Sequence, residues 1–490
     1  MKSRTVKRGL VGTALGSVSL AALALSGTAS AAAHTPRLGF TPITSDALSC
    51  SANGLIRFAN DPTNQAITPT QLMQAGEPAT PINAPATSTS VGRVNDMIAL
   101  SPDGRYLFTS SENSIPTENG IGAAGSDGIT RLTLNGPNTG KKEILASNVG
   151  AAGANIWQRV DGLKWYPYGG PGGDGLLLAG EEFAAGGIWQ INPNTGAFVR
   201  LDWLGNYSHE GIGLDRSGNL YLGDEARGGA IYKAVPNDRR DLTKGGTLYF
   251  LVGTAADASG WKQVANPANA STEASTGGAI LFDRPEDFDE ANGRVYFAVT
   301  EPAGDANPRV GAAGQVVNRG GIYSLSTRGV PDLATQSGVL PYNRLMPMIE
   351  VNDPTYGTQD QAKAQQGLQF PDNIAFDGAG HLWVHEDIPD GSTFAASGID
   401  VSKQARDQQD ELYVYVLNDR GEAIKANPDT TGPGVSGGYK AADMRTSPAA
   451  KPCENEFTGG IFAANGRTLY INQQHWDNPT LTIKIGSIDD

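Results

Sequence analysis

One arrangement of apolar and polar positions recurs along this chain. A short apolar segment leads into a small polar turn carrying glycine, and several aromatic or branched residues follow. Its copies are Asp103-Gly104-Arg105-Tyr106-Leu107-Phe108, Ser217-Gly218-Asn219-Leu220-Tyr221-Leu222, Asn292-Gly293-Arg294-Val295-Tyr296-Phe297, Ala379-Gly380-His381-Leu382-Trp383-Val384 and Asn465-Gly466-Arg467-Thr468-Leu469-Tyr470. A looser sixth copy is Gly173-Asp174-Gly175-Leu176-Leu177-Leu178. Apolar residues before the turn, as in Ile98-Ala99-Leu100 and Ile374-Ala375-Phe376, make each copy a hairpin. Most copies are followed by another strand-like segment, such as Gly187-Ile188-Trp189, Gly321-Ile322-Tyr323 and Leu412-Tyr413-Val414-Tyr415. Long segments of helical period are scarce, and 63 Gly with 29 Pro disfavour helices further. Strand groups repeating at intervals of roughly 40 to 90 residues predict an all-β fold, a six-bladed β-propeller with long inter-strand insertions. A β-sandwich leaves the six copies unexplained.

The ends of the chain read differently. Lys2, Arg4, Lys7 and Arg8, an apolar run from Leu10 to Leu25 and the small residues Ala29-Ser30-Ala31 mark residues 1–31 as a signal peptide, hence a secreted protein. Residues 32–90 read as an N-terminal arm and ring-closing strand, and 91–490 as the propeller. Within the arm, 60–90 is rich in Pro, Thr and Ala, and the strand near Leu55-Ile56-Arg57-Phe58 is expected to complete the blade containing Leu481-Thr482-Ile483-Lys484. Residues 302–319, 389–409 and 420–452 read as surface loops. The two cysteines, Cys50 and Cys453, are expected to form a disulfide between the chain ends rather than to act as ligands. With 51 acids against 37 bases, the formal charge of −14 argues against nucleic acid or an anionic membrane as partner. No membrane span is expected beyond the leader, and a monomer is expected.

The acids fall at matching points of the repeats. After the turn-led strands come Ser111-Glu112, Gly180-Glu181-Glu182, Gly223-Asp224-Glu225, Thr300-Glu301 and Glu386-Asp387, with His475 at the same point of the last copy. Before the hairpins come Asn95-Asp96, His209-Glu210, Arg284-Pro285-Glu286, Asp372-Asn373 and Asn455-Glu456. A hairpin begins and ends at one side of its blade, so these side chains are expected to converge at one mouth of the channel. Crowded carboxylates require cations, and an oxygen-only donor set favours several Ca²⁺ over softer ions. Glu181, Glu210, Asp224, Glu286, Asp372, Asp387 and Glu456 are the candidate metal ligands. Asp103, Asp215, Asp283 and Asp377 are as readily turn or cap residues. Of five histidines, His209, His385 and His475 fall at mouth positions, and His209 and His475 are candidate catalytic groups beside Arg284. Arg284 stands two residues from Glu286 and is either a bidentate phosphate binder or a structural ion pair.

These motifs resemble the PhoX-type alkaline phosphatases, secreted bacterial propeller enzymes. The resemblance covers most of residues 91–480. It rests on Gly180-Glu181-Glu182, Ser208-His209-Glu210-Gly211, Gly223-Asp224-Glu225, Asp283-Arg284-Pro285-Glu286, Pro371-Asp372-Asn373 with Leu382-Trp383-Val384, and Glu456-Phe457-Thr458-Gly459 with Gln474-His475. It implies a mixed iron and calcium cluster that binds phosphate, with Glu210 and Glu286 as ligands, Arg284 on the phosphate, and metal roles for Asp224, Asp372 and Glu456. Two departures stand out. Gly180 occupies the place of the family's cysteine iron ligand, and Lys7-Arg8 replaces the twin-arginine export signal. A chain folding outside the cell meets calcium more readily than iron, so iron or another transition metal is the secondary expectation. The function expected is a metal-dependent phosphomonoesterase acting on a small phosphoester. The alternatives are a calcium-dependent lactonase or esterase, to which Pro371-Asp372-Asn373 and Gly380-His381-Leu382-Trp383-Val384 also correspond, and a non-catalytic calcium-stabilised binding propeller.

Overall fold

A computed structural model describes residues 40, 57–58, 67–82, 90–92, 94–112, 128–147, 159–254, 257–300, 317–318, 321–327, 339–341, 345–350, 371–387, 411–417, 439–443, 455–475 and 480–486. These all belong to the compact unit Arg37–Asp490. The signal-like leader, Cys50 and Cys453 lie outside the described residues.

Six sheets form a six-bladed propeller, and each blade opens with its innermost strand. Those inner strands are Asn95–Leu100, Val160–Tyr166, Ile212–Leu214, Pro285–Ala291, Pro371–Phe376 and Asn455–Phe462, which number blades one to six. Each touches the next, and the sixth touches the first, so the ring is closed. Among the described residues the only α-helix is Ala270–Gly277, and no helix is long and apolar enough to cross a membrane.

The repeated turns explain the hairpins. Gly104, Gly218, Gly293, Gly380 and Gly466 have φ between 66° and 87°, a conformation that side chains with a Cβ rarely adopt. An acid or amide before the glycine ties the turn. Asp215 Oδ1 accepts from the amides of Ser217 and Asn219, Asp377 Oδ1 from Ala379 and His381, and Asn465 Oδ1 from Arg467 and Thr468. Asp103, Asp215 and Asp377 are therefore turn residues. Strand alternation sends the remaining apolar side chains into six clusters, one in each seam between adjacent blades. The seam between blades two and three, for example, buries Tyr166, Leu178, Tyr207, Leu222 and Tyr232, and that between six and one buries Met73, Ile98, Leu107 and Tyr470.

Two features differ from the sequence reading. The strand completing blade six, against Leu481–Ile485, is Thr70–Gln74, whereas Arg57–Phe58 pairs with Tyr439–Asp443 in blade five. The reason is periodicity hidden under polar composition. Met73 is wholly buried and the half-buried Leu72 packs against the same seam, so a polar, Pro/Thr-rich stretch still supplies core side chains. Blades also vary in width. Blade three has grown to eight strands around the ten-residue strand Arg227–Pro236, and Tyr439–Asp443 is a strand within a segment read as loop.

Candidate active site

The mouth is built by a repeated backbone irregularity. In blades one, two, four and five the inner strand carries one residue more than its partner at the start of the pairing: Asn95/Ile98, Val160/Leu163, Pro285/Phe288 and Pro371/Ile374. Such a bulge re-aims the side chains within it. Its first residue is an acid every time: Asp96, Asp161, Glu286 and Asp372. Glu210 stands at the same offset in blade three, two residues before Ile212, which pairs with Leu222. In blade six the extra residue falls at Gly459-Gly460, which bring no carboxylate. All five acids are at most 5% exposed.

A second tier comes from the residue just past each second strand. The amides of Glu112, Glu182, Glu225 and Thr300 donate to the carbonyls of Val94, Arg159, Ser208 and Arg284, the residues just before or near the start of each inner strand. Asp387 holds the same place in blade five, one residue beyond the Glu386–Pro371 pair. Carboxylate oxygens of Glu210, Glu225 and Glu286 approach within 4.8 Å of one another, and those of Asp96, Glu112 and Asp161 do likewise. Gln474 Nε2 donates to Asp96 at 3.1 Å and to Glu112 at 3.0 Å.

Two arginines thread the tiers. Arg284 Nε donates to Glu225 at 2.8 Å and its Nη2 lies 3.1 Å from Glu286. Arg159 Nη2 lies 2.5 Å from Glu182 and 3.4 Å from Glu112. Both have left-handed backbones, φ 56° and 43°, a costly conformation for residues other than glycine. Burial pushes the carboxyls of Asp161, Glu182, Glu210 and Glu286 well above the usual range, with neighbouring carboxylates adding to it. Asp387 is pushed up to about 7 by burial and then by Asp372. Glu225 is held down by Arg284 against its own burial. The buried Glu286 Oε2 and Asp161 Oδ1 accept no hydrogen bond. Crowded, desolvated carboxylates with open lone pairs fit hard cations, because only positive charge or protons relieve such a set.

The other residues singled out in the sequence take different places. Glu181 Oε2 accepts from the Gly187 amide at 3.0 Å, and Asp224 accepts from Ser271 Oγ at 2.7 Å, its carboxyl raised to about 6 by burial. His209 lies against Tyr207, with ring centroids 3.9 Å apart and Nε2 at 3.2 Å from the Gly205 carbonyl. Burial lowers it to about 3, so it is neutral. His385 is likewise buried and lowered to about 3 in the seam with blade six. His381 serves its turn, 2.8 Å from Asp377. Register pairs Glu456 with Gln474 and Asn455 with His475, while the side chains of Glu456 and His475 lie outside the described residues. Sequence reasoning misses Arg159 and Asp161, although Arg159-Val160-Asp161 repeats the spacing of Arg284-Pro285-Glu286. In each doubled pair the second acid, Glu182 or Glu225, enters the tier. Blade one signals this through its single Glu112.

Fold and site together define a β-propeller whose mouth is a two-tier ring of acids crossed by arginines. The family model "Alkaline phosphatase PhoX" matches residues 186–477, more than half of the chain, and the chain belongs to that family. The structure of Pseudomonas fluorescens PhoX in complex with vanadate, a transition state analogue, is similar at 16% identity with a TM-score of 0.59, covering 93% of this chain and 99% of that one. A gluconolactonase from Xanthomonas campestris (12% identity, 90% and 98% covered, TM-score 0.36) and a calcium-binding regucalcin from Agrobacterium tumefaciens (13%, 84% and 96%, 0.38) are more distant. No curated protein sequence matches the chain.

Proposed function

We propose that this protein is a secreted, metal-dependent phosphomonoesterase of the alkaline phosphatase type, acting as a monomer on a small phosphoester. The observation that carries the reading is Arg284, held by Glu225 and Glu286 with its side chain still 25% exposed beside acids that burial leaves in need of cations. Arg284 would offer non-bridging phosphate oxygens the guanidinium N–H groups that Glu225 and Glu286 leave unengaged, and its ion pairs keep the guanidinium charged and fixed. The first-tier acids Asp96, Asp161, Glu210, Glu286 and Asp372, with Glu112, Glu182, Glu225 and Asp387 above them, would hold the ions. The chemistry divalent cations supply at such a site is charge neutralisation and Lewis acidity. Calcium is the favoured ion, because oxygens make up the whole donor set among the described residues. The deciding experiment is phosphate release from p-nitrophenyl phosphate at pH 7–10 by protein purified without chelator, beside its elemental analysis. Turnover lost to chelator and restored by Ca²⁺ is expected. Protein with a full complement of metal and no release of phosphate overturns the proposal.

A further inference from the structure

Arg159 is the structural counterpart of Arg284. Each precedes its inner strand, each has a left-handed backbone, and each accepts through its carbonyl the amide of the tier-two residue in its own blade, Glu182 or Thr300. Each also reaches back to the tier-two glutamate of the preceding blade, Glu112 for Arg159 and Glu225 for Arg284. Among the described residues the third non-glycine with positive φ is Asn292, which sits in a hairpin turn. The costly conformation is thus repeated at the mouth in two blades. Arg159 is also the more open of the pair. Its side chain is 35% exposed, whereas the Glu112 and Glu182 side chains it contacts are 10% and 9% exposed.

The two arginines do not meet on one group. Arg159 pairs with Glu112 and Glu182, whereas Arg284 pairs with Glu225 and Glu286. Each guanidinium is therefore anchored on its own pair of acids. We infer that Arg159 binds a second anionic group of the substrate, so that the preferred phosphomonoester carries a carboxylate or a second phosphate on its alcohol portion. This rests on the phosphatase reading and adds the substrate class to it. The transferred phosphate lies at Arg284, and the second anion at Arg159 enters a rim that would otherwise repel it.

The test compares kcat/KM for p-nitrophenyl phosphate, glucose 1,6-bisphosphate and 3-phosphoglycerate in the metal-replete wild type, Arg159→Ala, Arg159→Lys and Arg284→Ala, with metal content measured for each. Arg284→Ala should lower all three substrates alike. Arg159→Ala should lower the two doubly anionic substrates about tenfold to a hundredfold more than p-nitrophenyl phosphate, mainly through KM, as expected when one charge-assisted hydrogen bond is removed. Arg159→Lys should recover part of that difference. Equal losses on all substrates, or a parallel loss of metal, would assign Arg159 a structural role and overturn the inference while leaving the phosphatase reading intact. A wild type that turns over none of the three overturns both.

Discussion

Placing a cysteine at Gly180 tests how the mouth is built. Gly180 faces the blade-two bulge across its strand pair, and its missing side chain points into the seam with blade three. A Cβ there would lie 2.7 Å from the His209 carbonyl oxygen and 2.9 Å from the His209 Cβ. Equivalent positions behave alike. A Cβ on Gly223 would meet the Pro285 carbonyl at 2.7 Å, and Ser110 fills the same place in blade one by donating to the Asp161 carbonyl at 2.6 Å. Gly180→Cys should therefore not put sulfur among the acids. Ordinary contact at such a carbonyl begins near 3.4 Å, so backbone in blade three must yield by several tenths of an ångström. Overpacking of this kind costs about 1–3 kcal/mol, offset by about 0.5–1 kcal/mol of unfolded-state entropy that glycine alone retains. With unfolding entropy near ~2 cal/mol/K per residue over a chain of this length, the net loss lowers Tm by up to about 2.5 °C. Gly180→Ala, bearing the Cβ alone, should show the same fall. Scanning fluorimetry and a ferric titration followed by visible absorbance measure the two outcomes. A Gly180→Cys protein as stable as wild type that develops a thiolate-to-iron band would refute the placement.

Three further outcomes are expected. Arg284→Ala should lower kcat/KM for p-nitrophenyl phosphate by about 10²–10³, the scale of losing one preorganised donor at a developing charge, with Arg284→Lys intermediate because it keeps charge without the fork. Chelated protein should lose thermal stability as pH rises. The carboxyls of Asp161, Glu182, Glu210 and Glu286 sit above their unfolded values, and Asp387 at about 7, so their contribution is present below about pH 4 and disappears as pH climbs through the folded values. Melting curves from pH 4 to 9 should show this decline, and saturating Ca²⁺ should flatten it; a chelated protein whose Tm rises over that range contradicts the buried-acid account. Asp215→Ala should cost about 2–3 kcal/mol by releasing the Ser217 and Asn219 amides and the buried Tyr221 hydroxyl, which denaturant melts would register without a fall in kcat.

The propeller was legible because its signal is local and repeated. A glycine forced to positive φ between two apolar runs leaves the same mark in each blade, and five close copies with a looser sixth identify the ring. The ring-closing strand was harder to read. Only Met73 in Thr70–Gln74 is wholly buried, so pairing with Leu481–Ile485 depends on tertiary contact rather than on any apolar run. Within the site, Glu210, Glu286, Asp372 and Arg284 were visible as acids or bases placed before hairpins. The choice of Glu181 and Asp224 over Glu182 and Glu225 turns on a difference of one residue. In a strand one residue reverses the direction of a side chain, and composition alone cannot decide it. Arg159 and Asp161 precede the weakest repeat, whose turn carries five glycines between Tyr166 and Leu176, so the hairpin that would have drawn attention to them was itself indistinct.

Bulge and seam are two halves of one device. Swinging the first bulged residue into the channel also brings its carbonyl against the neighbouring inner strand, and that strand must then be bare. A Cβ on Gly162 would lie 1.9 Å from the Glu210 carbonyl oxygen, one on Gly211 2.3 Å from that of Glu286, and one on Gly459 2.3 Å from that of Asp96. The glycines that give this chain its composition therefore serve more than turns, since three of them let adjacent acid-bearing strands close to the spacing that crowds the carboxylates. Crowding in turn raises those carboxyls and creates the demand for cations. A substitution at Gly162 or Gly211 should thus disturb the cation site as well as the seam, because the position of each acid and the fit of its neighbour are set by the same backbone step.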